Sequence, residues 1–319
     1  MESVAHRQTR YIPAAPFPEP KVLPLPEPTK DLEQAKRDLT EYGLCLIAEG
    51  LVEDQIARLR TALSEQARAE QSLGDLAPLG AFDKKLIISN LVNKGADFLA
   101  LVEHSLTTEI AGYMLGKRFL LSSLTGHMFN GSTERPQLLH RDQGQVPGSV
   151  DFPAACNLFY MLDDFTAKDG STCVIPGSHR WPAEYQVSPP DESLAVQLEA
   201  PAGTVFAWDG RLWHGTGVSK TGNPRRNIAV YCCLPWVRQQ ENWGVTCLQE
   251  TLDEASPMLK ARLGLQSYGT LGQMNGAGVQ QSERSLGNFD VVIPDYIIGE
   301  NATLHPMQRT TRTRVQKED

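Results

Sequence analysis

No two cysteines in this chain stand at CxxC spacing, and the HExxH pattern of one large class of zinc hydrolases is absent. The first absence argues against a thiolate zinc site or a redox pair, the second against that hydrolase class. No apolar run approaches the ~20 residues that a membrane-spanning helix needs. The opening MESVAHRQTR lacks the apolar core of a secretory signal, and the closing QKED matches no sorting signal, so a cytoplasmic location is the expectation. Positive charge is also scarce. A formal net charge of −8 leaves little to build a nucleic-acid-binding surface or to adsorb on an anionic membrane. No internal repeat is visible.

What is present fits a globular protein. The 319 residues, 41% of them hydrophobic, suffice for one large core or two small ones. The six cysteines are Cys45, Cys156, Cys173, Cys232, Cys233 and Cys247. Several lie in apolar strand-like runs such as AVYCCLPW and read as buried reduced thiols. Residues 1–28 are set apart by the proline-dense YIPAAPFPEPKVLPLPEP, an extended arm that drapes over the domain or reaches a neighbouring subunit. Thr29 offers an N-cap for a helix to Tyr42, ended by Gly43. LCLI reads as a buried strand, and Ile56, Leu59 and Leu63 mark a helix over 52–70. From about Phe119 to 240, short apolar runs separated by Gly, Pro, Asp and Asn predict an antiparallel β sandwich or barrel. Residues 248–265 read as helix again, and 299–319 as a polar, frayed tail. The expected fold is therefore mainly β with flanking helices, its main domain spanning 29–298.

The candidate chemistry lies in the β region. His140 and Asp142 are one residue apart, so on an extended segment both side chains point the same way while Arg141 points elsewhere. His214 follows the strand-like GTVFAWDGRLW and can arrive from another strand. Two imidazoles and a carboxylate occupy one face of an octahedral iron(II) site and leave three positions open. Zinc is an alternative occupant. The triad alone is equally compatible with a hydrogen-bonded surface pair and a satisfied core histidine. Downstream, the turn-rich GTGVSKTGNP returns the chain into RRNIAVYCC. One of Arg225 and Arg226 should face inward, where its planar fork can clamp the distal carboxylate of 2-oxoglutarate. Otherwise both are exposed edge charges.

Four segments in order then resemble the phytanoyl-CoA dioxygenase family of iron(II)/2-oxoglutarate oxygenases: EYGLCLIAEGLVEDQIARLR, QLLHRDQG, DDFTAKDGSTCVIPGSHRW and AGTVFAWDGRLWHGTG. The likeness covers roughly 29–265 and is closer to members that act on small natural products. It implies a double-stranded β-helix, a jelly-roll of the cupin kind, with helices outside. It implies His140, Asp142 and His214 as iron ligands and Arg225, eleven residues after the distal histidine, as the cosubstrate arginine. Thr172, Thr216 and Gln137 match polar positions around that cosubstrate. Halogenases of this class replace the carboxylate with a small residue, so Asp142 weighs against halogenation. His179, at the end of the signature turn, is read as a packing residue.

The implied activity is oxidation of a small hydrophobic or natural-product substrate by O₂, with release of succinate and CO₂. The outcomes compatible with this chemistry are hydroxylation, desaturation, epoxidation, ring rearrangement and endoperoxide formation. Met128, Phe129, Leu138, Phe159 and Trp236 flank the motif strands and are the candidate substrate-pocket residues, with barrel-core packing the competing role for each. A non-catalytic ligand- or protein-binding barrel and a zinc hydrolase are the alternatives in function. The Pro-rich arm and the C-terminal segment offer surfaces for a homodimer.

Overall fold

The computed structural model describes residues 11, 13–73, 85–129, 131–133, 136–146 and 150–273, together with the backbone of 290–294 and 311–315. The chain divides into two compact units, Met1–Glu241 and Asn242–Asp319.

In the first unit, helix α1 (Leu32–Tyr42) leads into strand β1 (Leu44–Ile47), helix α2 (Glu53–Ser72), strand β2 (Lys85–Ile88) and helices α3 (Ala96–Val102) and α4 (Ser105–Leu115). The remaining strands are β3 (Leu120–Phe129), β4 (Ala155–Met161), β5 (Thr172–Val174), β6 (Val196–Gln197), β7 (Val205–Asp209), β8 (His214–Thr216) and β9 (Arg225–Cys233). Asp31, not Thr29, caps α1: its carboxylate accepts from the Glu33 amide, while the Thr29 hydroxyl accepts from Asp31. Gly43 ends the helix at φ 78°, where a β-carbon would fall 2.4 Å from His179 Nδ1.

The strands form two antiparallel sheets. The major sheet runs β1-β7-β4-β9-β3-β2 and the minor sheet β6-β5-β8. Their inner faces meet in a cluster containing Leu44, Leu46, Phe206 and Trp208 from the first and Val174 and Leu198 from beside the second. This is a double-stranded β-helix. The helices pack on the major sheet, α1 against β1 and α4 against β4 and β9. Gly126 in β3 lets α2 approach, since a β-carbon there would meet the Leu63 side chain at 2.2 Å. Residues 13–28 run extended beside the signature turn, with Phe17 N bonded to Arg180 O at 2.8 Å and Leu23 N to Pro176 O at 3.0 Å.

The second unit contains helices α5 (Trp243–Thr246), α6 (Gln249–Glu254) and α7 (Pro257–Arg262). The helix expected over 248–265 is thus broken: Pro257 lacks an amide donor, and the Ser256 hydroxyl caps a new helix by accepting from Leu259 N. Strands β10 (Asp290–Pro294) and β11 (Thr311–Val315) pair in parallel, and the rest of the expected polar tail lies outside the described residues. Five of the six cysteines are buried and Cys173 is half-buried, all as free thiols. Among the described residues no helix is long and apolar enough to cross a membrane.

Candidate metal centre

The segment carrying His140 lies antiparallel to β8. His140 N donates to His214 O at 2.8 Å and His214 N to His140 O at 3.0 Å, so the two histidines stand directly opposite each other. Their rings are 4.3 Å apart between centroids. Gly215 permits this approach: a β-carbon there would sit 2.7 Å from Gln137 O. Asp142 Oδ1 lies 3.5 Å from His214 Nε2 and 3.9 Å from His140 Nε2, and the three ligand atoms all fall within 4.8 Å of one another.

The surroundings prepare these atoms for a cation. His140 Nδ1 is 3.1 Å from Leu138 O, and His214 Nδ1 is 3.0 Å from Leu212 O. A carbonyl oxygen only accepts, so each Nδ1 donates and each Nε2 keeps a bare lone pair toward Asp142. Burial, with His140 adding to it against the pull of Asp142, lowers the His214 pKa and favours the neutral ring that a metal requires. Asp142 Oδ2 accepts from Trp208 Nε1 at 3.0 Å and Asn157 Nδ2 at 3.2 Å, which leaves Oδ1 for the metal. A nitrogen–nitrogen–oxygen set on one face fits a six-coordinate first-row divalent ion with open positions.

The same cavity is lined by Arg225, Thr172, Thr216, Gln137, Phe129 and Phe159 beside the triad. Arg225 is 1% exposed, with its guanidinium carbon 4.2 Å from the Phe129 ring centre and 4.7 Å from that of Phe165. Its Nε and Nη2 find no hydrogen-bond partner among the described residues. Burial lowers its pKa to about 10, which still leaves it a cation at neutral pH. Arg226 faces the other way, gripping Asp163 through Nε and Nη2, each at 2.8 Å. The Thr216 hydroxyl donates to Gln137 Oε1 at 3.0 Å, and Thr172 pairs across from Thr216.

Three expected pocket residues do not line this cavity. Met128 alternates with Phe129 and shares the outward side of Arg226, its partner across β9. Leu138 is 69% exposed, and Trp236 is 48% exposed, packed edge-on to Phe152. His179 is buried, with its Nε2 3.2 Å from Thr40 O, and lies outside the triad.

Four lining residues lie outside the sequence motifs, Lys85, His127, Asn157 and Asn227, and a fifth, Trp208, lies within one that gives it no role. Lys85 is 8% exposed and has no ion-pair partner among the described residues; burial first, then Arg225, brings its pKa to about 8. Burial, with Lys85 and Arg225 nearby, lowers the His127 pKa well below the ordinary range and keeps it neutral. Alternation counted inward from Arg225 would have found Asn227, but nothing in the sequence singles out Lys85.

The fold and site together define a double-stranded β-helix with a His-Asp-His triad able to hold a metal and a buried arginine lining the same cavity. The chain belongs to the phytanoyl-CoA dioxygenase (PhyH) family, whose model matches residues 39–227. Dioxygenase af480 of Aspergillus fumigatus is 29% identical over 254 residues, covering 76% of this chain and 79% of its own. Two solved structures share the fold. The non-heme alpha ketoglutarate dependent carbocyclase SnoK from nogalamycin biosynthesis has a TM-score of 0.53 at 21% identity, covering 66% of this chain and 88% of its own. EctD from S. alaskensis, solved with 2-oxoglutarate and 5-hydroxyectoine, has a TM-score of 0.53 at 21% identity, covering 72% and 85%.

Proposed function

We propose that this protein is an iron(II)- and 2-oxoglutarate-dependent dioxygenase that oxidises a small, largely apolar molecule of the natural-product kind. The observation that carries this reading is the pairing of two sites in one cavity. One wall holds three converging ligand atoms; another holds Arg225, buried, cationic and with two guanidinium nitrogens, Nε and Nη2, that have no partner among the described residues. A buried guanidinium in that state is costly unless an anion completes it. A ligand with a metal-chelating keto-acid end and a distal carboxylate satisfies both walls at once, and 2-oxoglutarate has that form.

In this reading His140, Asp142 and His214 hold the metal, and Arg225 takes both oxygens of the distal carboxylate. Thr172, Thr216 and Gln137 supply further polar contacts, and Lys85 adds a second cation that draws the dianion in. The β core at about 119–240, within a catalytic domain spanning 29–298, provides the rigid frame. Iron(II), when bound, supplies the open positions and the electrons that couple O₂ reduction to decarboxylation. For a hydroxylation the balance is substrate C–H, 2-oxoglutarate and O₂ going to substrate C–OH, succinate and CO₂. The apolar walls Phe129, Phe159 and Trp208 keep water from the reacting atoms. The relative from Aspergillus fumigatus, named a dioxygenase, and the two solved enzymes support this reading.

The test is 2-oxoglutarate turnover with iron(II) in air across a panel of terpenoid, polyketide and alkaloid substrates. The wild-type protein should release succinate, and Asp142→Ala should release none. Full turnover by Asp142→Ala would overturn the assignment.

A further inference from the structure

The proline-rich arm sits against the back of the strands that carry the histidine ligands. Leu139 and Trp213 each precede a ligand, so their side chains point away from the metal to the outer face of the minor sheet. There they form one buried cluster with Ile175 and Trp181, and Phe17 of the arm packs on it. Ile175 N donates to Trp213 O at 2.9 Å and the Ser178 hydroxyl accepts from Trp213 N at 2.9 Å, which joins the signature turn to the His214 strand. The Arg141 guanidinium lies 5.2 Å over the Trp213 ring, on the same outer side.

The arm grips this face at several points. Arg180 lies over the Phe17 ring at 4.0 Å and donates from Nε to Ala15 O at 3.0 Å, while Phe17 N donates to Arg180 O at 2.8 Å. Trp181 Nε1 donates to Lys21 O at 2.8 Å. Further back, Arg211 Nη2 reaches the Tyr11 hydroxyl at 3.3 Å while its Nε and Nη2 hold the buried Asp209. Prolines suit such an element: they keep it extended before it docks, so little conformational entropy is lost on docking.

We propose that residues 13–28 act as a clamp on the metal centre, and that Phe17 is its positioning residue. Phe17 touches neither metal nor cosubstrate. It fixes Trp181 and the Leu139–Trp213 pair, and through them the separation of the two imidazoles. The proposal rests on the metal-binding reading above. It predicts that this arm, far from the cavity in sequence, sets metal affinity.

The experiment uses manganese(II), an air-stable probe for the site, with the full-length protein, Phe17→Ala, Phe17→Leu, and a chain lacking residues 1–28. The manganese dissociation constant is read from the free-ion electron paramagnetic resonance signal. The melting temperature is measured with and without excess metal. Phe17→Ala should weaken manganese binding about tenfold, the lower end of what loss of an outer support costs a metal site. It should also shrink the metal-induced rise in melting temperature, because that rise follows affinity. Phe17→Leu, which keeps an apolar body on the cluster, should restore most of the affinity, and the truncated chain should lose at least as much as Phe17→Ala. An arm that only adds stability would lower the melting temperature equally with and without metal and leave the dissociation constant unchanged, and that result overturns the clamp. If the truncated chain does not fold, Phe17→Ala decides. Failure of the wild-type protein to bind manganese would bring down the metal reading and the clamp with it, whereas an unchanged Phe17→Ala overturns the clamp alone.

Discussion

The Trp208 indole donates its single N–H to Asp142 Oδ2 over 3.0 Å. One carboxylate oxygen is thereby committed to the protein, together with Asn157, and the other is left to face the two histidines. Trp208 also stacks on Phe206 at 4.4 Å between ring centres, so its donor is held in place by packing. Trp208→Phe keeps the apolar body and removes the donor. We predict a loss of about 10–100-fold in iron(II) affinity with little change in fold, checked by anaerobic metal titration and circular dichroism.

Arg225 and Arg226 are adjacent in sequence and opposite in effect. Arg225→Gln should raise the 2-oxoglutarate KM by about 30-fold or more, since truncating a buried charge-assisted pair costs at least ~2 kcal/mol, with metal affinity preserved. Arg226→Gln should instead destabilise the fold by about 1–3 kcal/mol through loss of the Asp163 fork, leaving cosubstrate affinity intact. Steady-state kinetics and urea unfolding of the two variants separate these outcomes.

Lys85 should make cosubstrate binding sensitive to pH. Burial and the Arg225 charge lower its pKa to about 8, so below that pH it is an ammonium that attracts the dianion, and above it the charge is lost from the free protein. The affinity for 2-oxoglutarate should therefore be flat up to about pH 8 and fall above it, approaching tenfold per pH unit. Lys85→Met should be weaker at neutral pH and flat across the range. Calorimetric titration with manganese(II) present, from pH 6.5 to 9.5, gives the comparison.

Gly215 leaves no room for a side chain. Its would-be β-carbon lies 2.7 Å from Gln137 O, a backbone atom that can move only with the whole strand that carries His140. Gly215→Ala should spread the two histidines, weakening metal binding by about tenfold or more, and cost about 1–3 kcal/mol of stability. Thermal melts with and without metal report both quantities.

Much of this architecture was legible in the sequence because its causes are local. The one-residue spacing of His140 and Asp142 suggests their convergence, although Asp142 stands in a turn and not on an extended segment, and alternation along β9 sends Arg225 in and Arg226 out. Where the sequence misled, the missing information was tertiary. Leu138 and Trp236 are apolar and near motifs, yet the barrel leaves them on its outside. Thr29 looked like a cap, but Asp31 lies closer to the first helical turn. Lys85 opens an ordinary apolar strand, KLII, and only the pairing of β2 with β3 beside Phe129 brings it to the cavity. The prolines announced an extended arm; its destination, against Trp181 and Arg180, depends on contacts more than 150 residues away.

The most direct measurement is an anaerobic titration of the iron(II)-loaded protein with 2-oxoglutarate, followed by visible absorption. A cosubstrate that chelates the metal between His140, Asp142 and His214 gives a weak charge-transfer band that saturates at one equivalent. That band should vanish in Asp142→Ala and require far more cosubstrate in Arg225→Gln. Absence of the band in the wild-type protein, or its survival unchanged in Asp142→Ala, would contradict the assignment of this cavity as an iron(II)/2-oxoglutarate site.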